Sequence, residues 1–200
     1  MERIILASAS PRRQEYFRLL GLPFEAIPSP IEEILDKSLA PIKAVEELAV
    51  QKVKAVRELC RDMAPVRSDS GTLWIVGADT IVLLDGLIYG KPNNRDDARL
   101  MLFRLQGRSH EVISAIALFK GRSETLDCRS VNSIVSFAPM SRDEIEWYLD
   151  SGEWQGVAGS YRIQGLASYF ITGIQGSFSS IVGLPLREFY VILRDNGYSF

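Results

Sequence analysis

The sequence predicts an α/β fold in which a mixed, twisted sheet is flanked by helices. Strand-like apolar runs alternate with amphipathic helical segments, while the strand segments in the middle of the chain follow one another directly. The run from Trp74 to Leu84 is apolar enough for a central strand covered on both faces. At 200 residues, 46% of them hydrophobic, the chain has the size of one domain. We therefore expect a single domain over residues 1–200, with two lobes and a central cleft.

Capping and turn signals give the order of the elements. Ser10 and Pro11 suit the N-cap and first position of a helix that Gly21 ends. Asn94 predicts another helix start, and Ser141 with Glu144 forms a capping box. The predicted strands cover residues 3–8, 24–27, 74–84, 87–89, 110–119, 130–137, 169–174 and 178–182, and the other helices begin near residues 42 and 185.

The composition excludes several classes of protein. Lys and Arg number 23 against 25 Asp and Glu, a net charge of −2, whereas a dedicated DNA or RNA binder needs a basic face. No apolar run approaches the ~18 residues that span a bilayer, and the N-terminal stretch is too short for a signal peptide. We therefore expect a cytoplasmic protein without nucleic-acid or membrane partners. Cys60 and Cys128 are expected to be reduced and buried.

An unusual charge pattern lies at the first predicted helix start, where Ser8-Ala9-Ser10-Pro11 is followed by Arg12 and Arg13. A helix N-terminus carries partial positive charge and free N–H groups, so two arginines in the first turn oppose the helix dipole. Either these arginines are solvated at the surface, or they and the turn at Ser8 bind an anion, most simply a phosphate chain.

Two buried charges are predicted near the middle of the chain. A helical wheel places Lys52 within the apolar arc of the long helix, and Asp79 is the only charge between Trp74 and Leu84. Because burying a charge is costly unless it is paired or metal-bound, Lys52 either reaches a partner or a cleft, or extends to the rim. Asp79 is either a general base or a structural cap. Gly77 beside it leaves room for another group to approach the backbone.

Weaker signals come from Lys91 and His110. Lys91 precedes Pro92 in a turn rigid enough to aim an amine, and His110, the only histidine, is expected to make a structural hydrogen bond. The sequence has no zinc-site spacing and no P-loop or dinucleotide-binding motif. Two arginines, two lysines and a buried carboxylate together predict a site for a polyphosphate whose charge a divalent cation partly neutralises.

Short motifs are spread in order over nearly the whole chain, each of them weak alone. They are Leu6-Ala7-Ser8-Ala9-Ser10-Pro11-Arg12-Arg13, Leu48-Ala49 with Lys52, Gly77-Ala78-Asp79-Thr80, Gly90-Lys91-Pro92, Gly107-Arg108 with His110 and Val112, Ala158-Gly159-Ser160-Tyr161 with Ile163-Gln164-Gly165, and Val182-Gly183-Leu184-Pro185-Leu186. In this order and spacing the set resembles the Maf family of nucleoside triphosphate pyrophosphatases.

The resemblance implies a fold like that of inosine triphosphate pyrophosphatases and hydrolysis of a nucleoside triphosphate to the monophosphate and pyrophosphate. It also implies a divalent metal cation, Mg²⁺ or Mn²⁺, and a cytoplasmic protein that is often a homodimer. The family's proton acceptor falls on Asp79, which would share the metal with Glu33. Positions linked to substrate choice fall on Arg12, Thr80 and Gln164.

The base preference follows from the same resemblance. Ile163-Gln164-Gly165 is similar to the branch of the family that acts on dTTP and UTP, whereas the branch acting on 7-methyl-GTP typically has Glu instead of this Gln. Val157 and Arg162 depart from the usual Lys and small residue. We expect a dTTP/UTP pyrophosphatase. The alternatives are a pyrophosphatase for methylated nucleotides such as 7-methyl-GTP, and a nucleotide-binding regulator of cell division without hydrolysis, since the family is also associated with septum formation.

The expected mechanism assigns a role to each candidate residue. Asp79 deprotonates the water that attacks the α-phosphorus, and Gln164 reads a pyrimidine edge. The triphosphate is expected to be held by Ser8, Arg12, Arg13, Lys52 and Lys91.

Overall fold

The computed structural model describes residues 1–36, 38–62, 72–121 and 123–200 and confirms a mixed sheet flanked by helices. The strands are β1 (Ile4–Leu6), β2 (Phe24–Ala26), β3 (Trp74–Leu84), β4 (Leu87–Tyr89), β5 (Ser109–Lys120), β6 (Thr125–Phe137) and β7 (Ile171–Gln175). The helices are α1 (Pro11–Leu19), α2 (Pro41–Asp62), α3 (Arg95–Leu105), α4 (Arg142–Asp150), α5 (Phe178–Val182) and α6 (Leu186–Asp195), with short 3₁₀ segments at Ala158–Ser160 and Leu166–Phe170.

The sheet contains both parallel and antiparallel pairs. Its order is β2-β1-β3-β5-β6-β7, with β4 paired to β3 off this path. Strand β1 runs parallel to β2 and to β3, with Ile4 opposite Trp74. Strand β4 returns antiparallel on β3 after a turn at Asp85-Gly86, and β7 is antiparallel to β6.

The described chain divides into two compact units. Unit 1 comprises Met1–Asp79, Ser114–Ser130 and Gly183–Phe200, and unit 2 comprises Thr80–Ile113 and Val131–Val182. The boundary divides β3 directly after Asp79, the residue predicted to act as the base. The cleft and the single domain over residues 1–200 stay predictions.

In unit 1, apolar residues of β1, β3, α1 and α6 form one buried cluster. The ring of Phe17 on α1 lies 5.1 Å from that of Phe189 on α6 and 5.2 Å from that of Phe24 on β2. These contacts fix α1 where it leaves the end of β1, because burial of large aromatic rings is a main source of packing energy.

In unit 2, α3 and α4 are capped as predicted and joined by ion pairs. The Asn94 side chain accepts from the Asp97 N–H at 2.9 Å, and Ser141 with Glu144 forms the capping box. Arg99 of α3 pairs with Glu146 of α4. The pairing holds the pKa of Glu146 well below its usual range, at about 2.

Three expectations are wrong. Residues 178–182 form the helix α5 and not a strand, because the Ser177 Oγ accepts from the Ser180 N–H at 3.2 Å and so caps a helical turn. The apolar residues of α1 predict that Leu19 lies on the buried face of this helix, but Leu19 is 76% exposed, whereas Phe17 of the same helix is fully buried. Cys128, expected to be buried, is only half-buried; like Cys60, it forms no disulfide bond.

The described helices include none that is long and apolar enough to cross a membrane.

Candidate active site

The loop between β1 and α1 turns Arg13 back towards the end of β1. The hydroxyl of Ser8, which is 7% exposed, accepts hydrogen bonds from the Ser10 N–H and from Arg13 Nη1, both at 3.2 Å. Arg13 Nε donates to the backbone oxygen of Gly183 at 2.8 Å. Arg13 is therefore not the solvated surface arginine of the first alternative. Arg12 lies beside it in the first turn of α1 and is half-buried.

The Arg13 guanidinium lies in the electric field of two carboxylates. Burial lowers the pKa of Arg13, and the negative charges of Asp79 and Glu33 oppose that shift. Loss of solvation is the larger effect on the pKa of this half-buried side chain, and the two carboxylates partly compensate for it. Such a cation interacts strongly with any anion that enters its surroundings.

The ammonium group of Lys52 forms ion pairs with both of these carboxylates, those of Asp79 and Glu33. Its Nζ lies 2.5 Å from Asp79 Oδ1 and 2.7 Å from Glu33 Oε1, and it reaches the Ala78 oxygen at 3.5 Å. Lys52 is 3% exposed and Asp79 7% exposed. The predicted burial of both charges is confirmed, and their pairing offsets the cost of desolvating them.

Glycine at position 77 allows this pairing. A Cβ there would lie 2.8 Å from the Ala49 oxygen and 2.8 Å from Val53 Cγ2, both on α2. The space that the sequence predicts at Gly77 is thus occupied by α2. Lys52 lies between Ala49 and Val53 on α2. Because this helix packs directly on β3, the Lys52 side chain reaches Asp79.

Glu33 and Asp79 could supply two of the ligands of a metal ion. Among residues 1–36, 38–62, 72–121 and 123–200 there is no group of three His, Cys, Asp or Glu side chains that could hold a metal ion. Glu33 and Asp79 nevertheless converge on one Nζ. Since Mg²⁺ is usually bound through one or two carboxylates, with phosphate oxygens and waters as other ligands, these two residues fit a cation that arrives with a polyphosphate.

The other predicted site residues belong to unit 2. Thr80 is its first residue and is half-buried, whereas Lys91 and Gln164 are exposed. The loop before Lys91 is fixed inside this unit, since the Gly90 oxygen accepts from the Gly159 N–H at 3.1 Å. The structure therefore brings Ser8, Arg13, Lys52, Asp79 and Glu33 together in unit 1 and places Thr80, Lys91 and Gln164 in unit 2.

Two side chains that the sequence analysis did not select hold the segment around Gln164. The Tyr148 hydroxyl accepts from the Arg162 N–H at 3.0 Å, and Glu153 Oε2 accepts from the Leu166 N–H at 2.8 Å. A carboxylate shortly after a helix end carries no sequence signal of its own, because its partner depends on how the following loop folds back.

His110 has the structural role expected of it. Its Nε2 lies 2.7 Å from the Tyr161 hydroxyl, and its ring packs against Phe137 and Tyr161 within unit 2. Burial lowers the pKa of His110 to about 4, and raises that of Tyr161. Both groups are therefore neutral at physiological pH.

Comparison with known proteins identifies the family. The model of the family described as Maf-like protein matches residues 3–196. The chain belongs to the Maf family. Among its Maf relatives, the dTTP/UTP pyrophosphatase of Symbiobacterium thermophilum is 41% identical over 198 residues, which cover 99% of this chain and 96% of that protein. The dTTP/UTP pyrophosphatase of Hahella chejuensis is 43% identical over 195 residues, 98% of this chain and 92% of that protein.

A solved structure is also similar to this Maf protein. That of the Staphylococcus aureus Ham1 protein aligns with a TM-score of 0.43 and 13% identity, over 68% of this chain and 72% of that chain.

Proposed function

We propose that this Maf protein is a nucleoside triphosphate pyrophosphatase that hydrolyses dTTP and UTP to the monophosphate and pyrophosphate. Relatives named dTTP/UTP pyrophosphatases are 41% and 43% identical to it over nearly the whole chain. The structural observation that carries the proposal is the buried Asp79 carboxylate, bound by Lys52 at 2.5 Å and close enough to Arg13 to affect its pKa.

Asp79 is proposed as the proton acceptor. Its carboxylate takes a proton from the water that attacks the α-phosphorus, the bond from that phosphorus to the bridging oxygen breaks, and pyrophosphate leaves with the electron pair. A general base must be held in a fixed orientation, and the 2.5 Å contact with Lys52 supplies that constraint.

The cations are proposed to bind the phosphates. The helix dipole places partial positive charge at the α1 N-terminus, and Arg13, held by Ser8 and Gly183, presents a guanidinium fork suited to phosphate oxygens. Arg12 and Lys91 are proposed as further phosphate ligands. Lys52 is directed at carboxylates and a carbonyl, so its predicted contact with the triphosphate requires it to release one of these partners.

Glu33 and Asp79 would hold the divalent cation, Mg²⁺ or Mn²⁺. When bound, such a cation neutralises phosphate charge and polarises the oxygens it contacts. The two carboxylates already lie 2.7 and 2.5 Å from Lys52 Nζ, so binding of a second positive charge would shift them away from that ammonium.

Gln164 is proposed to read the base, with Thr80 and Arg12 at the other positions linked to substrate choice. An amide side chain has one acceptor and two donor hydrogens and so matches the alternating edge of thymine or uracil. Gln164 is exposed and available for such a contact.

The assembly and location proposed for the chain rest on the family resemblance. We propose that it forms one functional domain over residues 1–200, acts in the cytoplasm and assembles as a homodimer. Size-exclusion chromatography with light scattering tests the dimer, and a monomer at micromolar concentration would contradict it.

A substrate panel tests the proposed function. Purified protein is given dTTP, UTP, GTP and 7-methyl-GTP with Mg²⁺ or Mn²⁺, and pyrophosphate and orthophosphate are measured separately. We expect pyrophosphate release with dTTP and UTP preferred, and a loss of about 10²–10⁴-fold in Asp79→Asn, since that is the usual contribution of a general base. Release of orthophosphate alone, preference for 7-methyl-GTP, or full activity of Asp79→Asn would overturn the proposal.

A further inference from the structure

The Gln164 side chain lies on a tight turn whose two ends are held by other side chains. The turn is closed by the Gly165 N–H, which donates to the Arg162 oxygen at 3.0 Å. On one side the Arg162 N–H donates to the Tyr148 hydroxyl at 3.0 Å, and on the other the Leu166 N–H donates to Glu153 Oε2 at 2.8 Å. All of these residues belong to unit 2.

Glu153 is itself anchored to the end of α4. Its backbone N–H donates to the Ser151 Oγ at 3.2 Å, and the indole of the next residue, Trp154, donates to the Leu149 oxygen at 2.9 Å. The Glu153 side chain is half-buried. The Glu153 carboxylate therefore connects the rigid end of α4 to the Leu166 N–H, two residues after Gln164.

Gly165 shows how closely the carboxylate approaches the turn. A Cβ at this position would lie 2.6 Å from Glu153 Cδ, a distance at which one of the two groups must move. The backbone of Gly165 does not have a positive φ, so a larger residue here would displace the Glu153 carboxylate without straining the conformation of the chain.

We propose that Glu153 is a positioning residue that sets the base preference by holding the turn on which Gln164 lies. The inference rests on the proposed role of Gln164 as the base-reading residue. An exposed amide discriminates between bases only if its donor and acceptor stay in one place. On a flexible turn, the same amide could adapt to the hydrogen-bonding edge of either base. Glu153 contributes this rigidity through one charge-assisted hydrogen bond to a backbone N–H.

Two substitutions disturb this contact from opposite sides. Glu153→Ala removes the acceptor, and Gly165→Ala pushes the carboxylate off the Leu166 N–H. In both, we expect kcat/KM for dTTP relative to GTP to fall by about tenfold, as loss of a charge-assisted hydrogen bond allows, with the change mainly in KM for dTTP. Glu153→Gln keeps an acceptor oxygen and is expected to restore most of the preference.

Glu144→Ala is the matched control. The Glu144 carboxylate also accepts from a backbone N–H in unit 2, that of Ser141, at 2.7 Å. Its loss weakens the α4 cap and so tests destabilisation of this helix, while every contact of the Gln164 turn keeps its two partners. We expect the dTTP/GTP ratio of this variant to match that of the wild type.

A readout independent of catalysis is the hydrogen exchange of the Leu166 amide, measured by NMR. We expect faster exchange in Glu153→Ala, but not in Glu153→Gln or Glu144→Ala. In addition, Glu153→Ala introduced into Gln164→Ala should change the substrate ratio no further, because a residue that acts through Gln164 has no effect once Gln164 is gone.

The outcomes separate this inference from the function on which it rests. If Gln164→Ala lowers the dTTP/GTP ratio while Glu153→Ala and Gly165→Ala leave it unchanged, the inference is wrong and the base-reading role stands. If Gln164→Ala leaves the ratio unchanged, the base-reading role and the inference both fail. A further fall of the ratio in the double variant would show that Glu153 contacts the substrate directly and would also overturn the inference.

Discussion

At the scale of single residues, Lys52 joins the two carboxylates of the candidate site. It is 3% exposed and pairs with one buried carboxylate and one exposed carboxylate, those of Asp79 and Glu33. A buried ion pair adds little net stability over apolar packing, but removal of one partner leaves the other charge buried and uncompensated. Lys52 and Asp79 are therefore expected to depend on each other in stability as well as in function.

A double-mutant cycle tests that dependence. We expect Lys52→Met to lower the free energy of unfolding by about 3–5 kcal/mol, and the double variant Lys52→Met/Asp79→Asn to recover part of the loss, since the stranded carboxylate is gone. Urea denaturation followed by circular dichroism measures the free energy of unfolding of the single and the double variant.

Lys43→Met is the control for this cycle. Lys43 lies on the same helix and pairs with Glu46 at the same 2.7 Å that separates Lys52 from Glu33, but its side chain is 69% exposed. Its substitution is expected to cost less than about 1 kcal/mol. Equal losses for Lys43→Met and Lys52→Met would show that burial of the pair has no energetic consequence.

The sequence predicted that Lys52 and Asp79 are buried but not that they contact each other. Burial followed from position, since one lies in the apolar arc of a helix and the other in an apolar strand. Their pairing depends on how α2 lies across β3, which helical and strand periodicity do not specify. Arg13 is a similar case, because its bond to Gly183 joins residues 170 positions apart.

At the scale of elements, the packing of α2 on β3 determines the geometry of the site. The helix approaches the strand so closely at Gly77 that a Cβ there would lie 2.8 Å from the Ala49 oxygen. A backbone atom cannot move aside as the end of a side chain can, so any larger residue displaces the whole helix.

Gly77→Ala is expected to weaken both folding and catalysis. We predict a loss of about 1–3 kcal/mol in unfolding free energy, as for other overpacked positions, together with slower pyrophosphate release because Lys52 moves away from Asp79. Gly173→Ala on β7 is the control, since a Cβ there meets only Ser136 Cβ at 4.0 Å. The account is contradicted if Gly77→Ala is as stable and as active as Gly173→Ala.

The elements themselves were largely predictable. Periodicity and capping signals gave α2, β3, the β3–β4 hairpin and the capping box of α4. The segment 178–182 was predicted as a strand because a five-residue apolar run fits either structure. The Ser177 side chain favours the helix because its hydroxyl accepts a hydrogen bond from the Ser180 N–H. The apolar pattern does not reveal this contact.

At the scale of the whole molecule, His110 links stability to pH. Its ring is buried against Tyr161, and its Nδ1 has no hydrogen-bond partner among the described residues. The pKa falls from an ordinary 6.5 to about 4 on folding. The unfolded chain therefore takes up a proton first, so the stability contributed by neutral His110 is complete above pH 6.5 and is lost as the pH falls towards 4.

The pH effect is predicted to be about 2–3 kcal/mol between pH 7.5 and 4.5. Because carboxylates also titrate in this range, the relevant quantity is the difference between the wild type and His110→Gln, which cannot titrate there. Urea denaturation at both pH values measures it. Parallel stability curves for the two proteins would show that His110 is not protonated differently in the folded and unfolded chains.

For the molecule as a whole, the sequence indicated the residue types of the candidate site but not how they are arranged. The near-neutral net charge of −2 hides a local group of cations, and the residue types alone indicated a short polyanion. Glu153 was missed because its carboxylate acts on a loop that no sequence motif links to it. The contact between the Glu153 carboxylate and the Leu166 N–H becomes visible only once the fold of unit 2 is known.

In the proposed reaction, water deprotonated by Asp79 attacks the α-phosphorus of the nucleotide. Hydrolysis of dTTP in ¹⁸O-labelled water, with the products separated and weighed by mass spectrometry, shows which phosphorus the water attacks. We expect the label in the monophosphate, and labelled monophosphate to form about 10²–10⁴-fold more slowly in Asp79→Asn. Label in the pyrophosphate, or an undiminished rate in Asp79→Asn, would contradict this proposal.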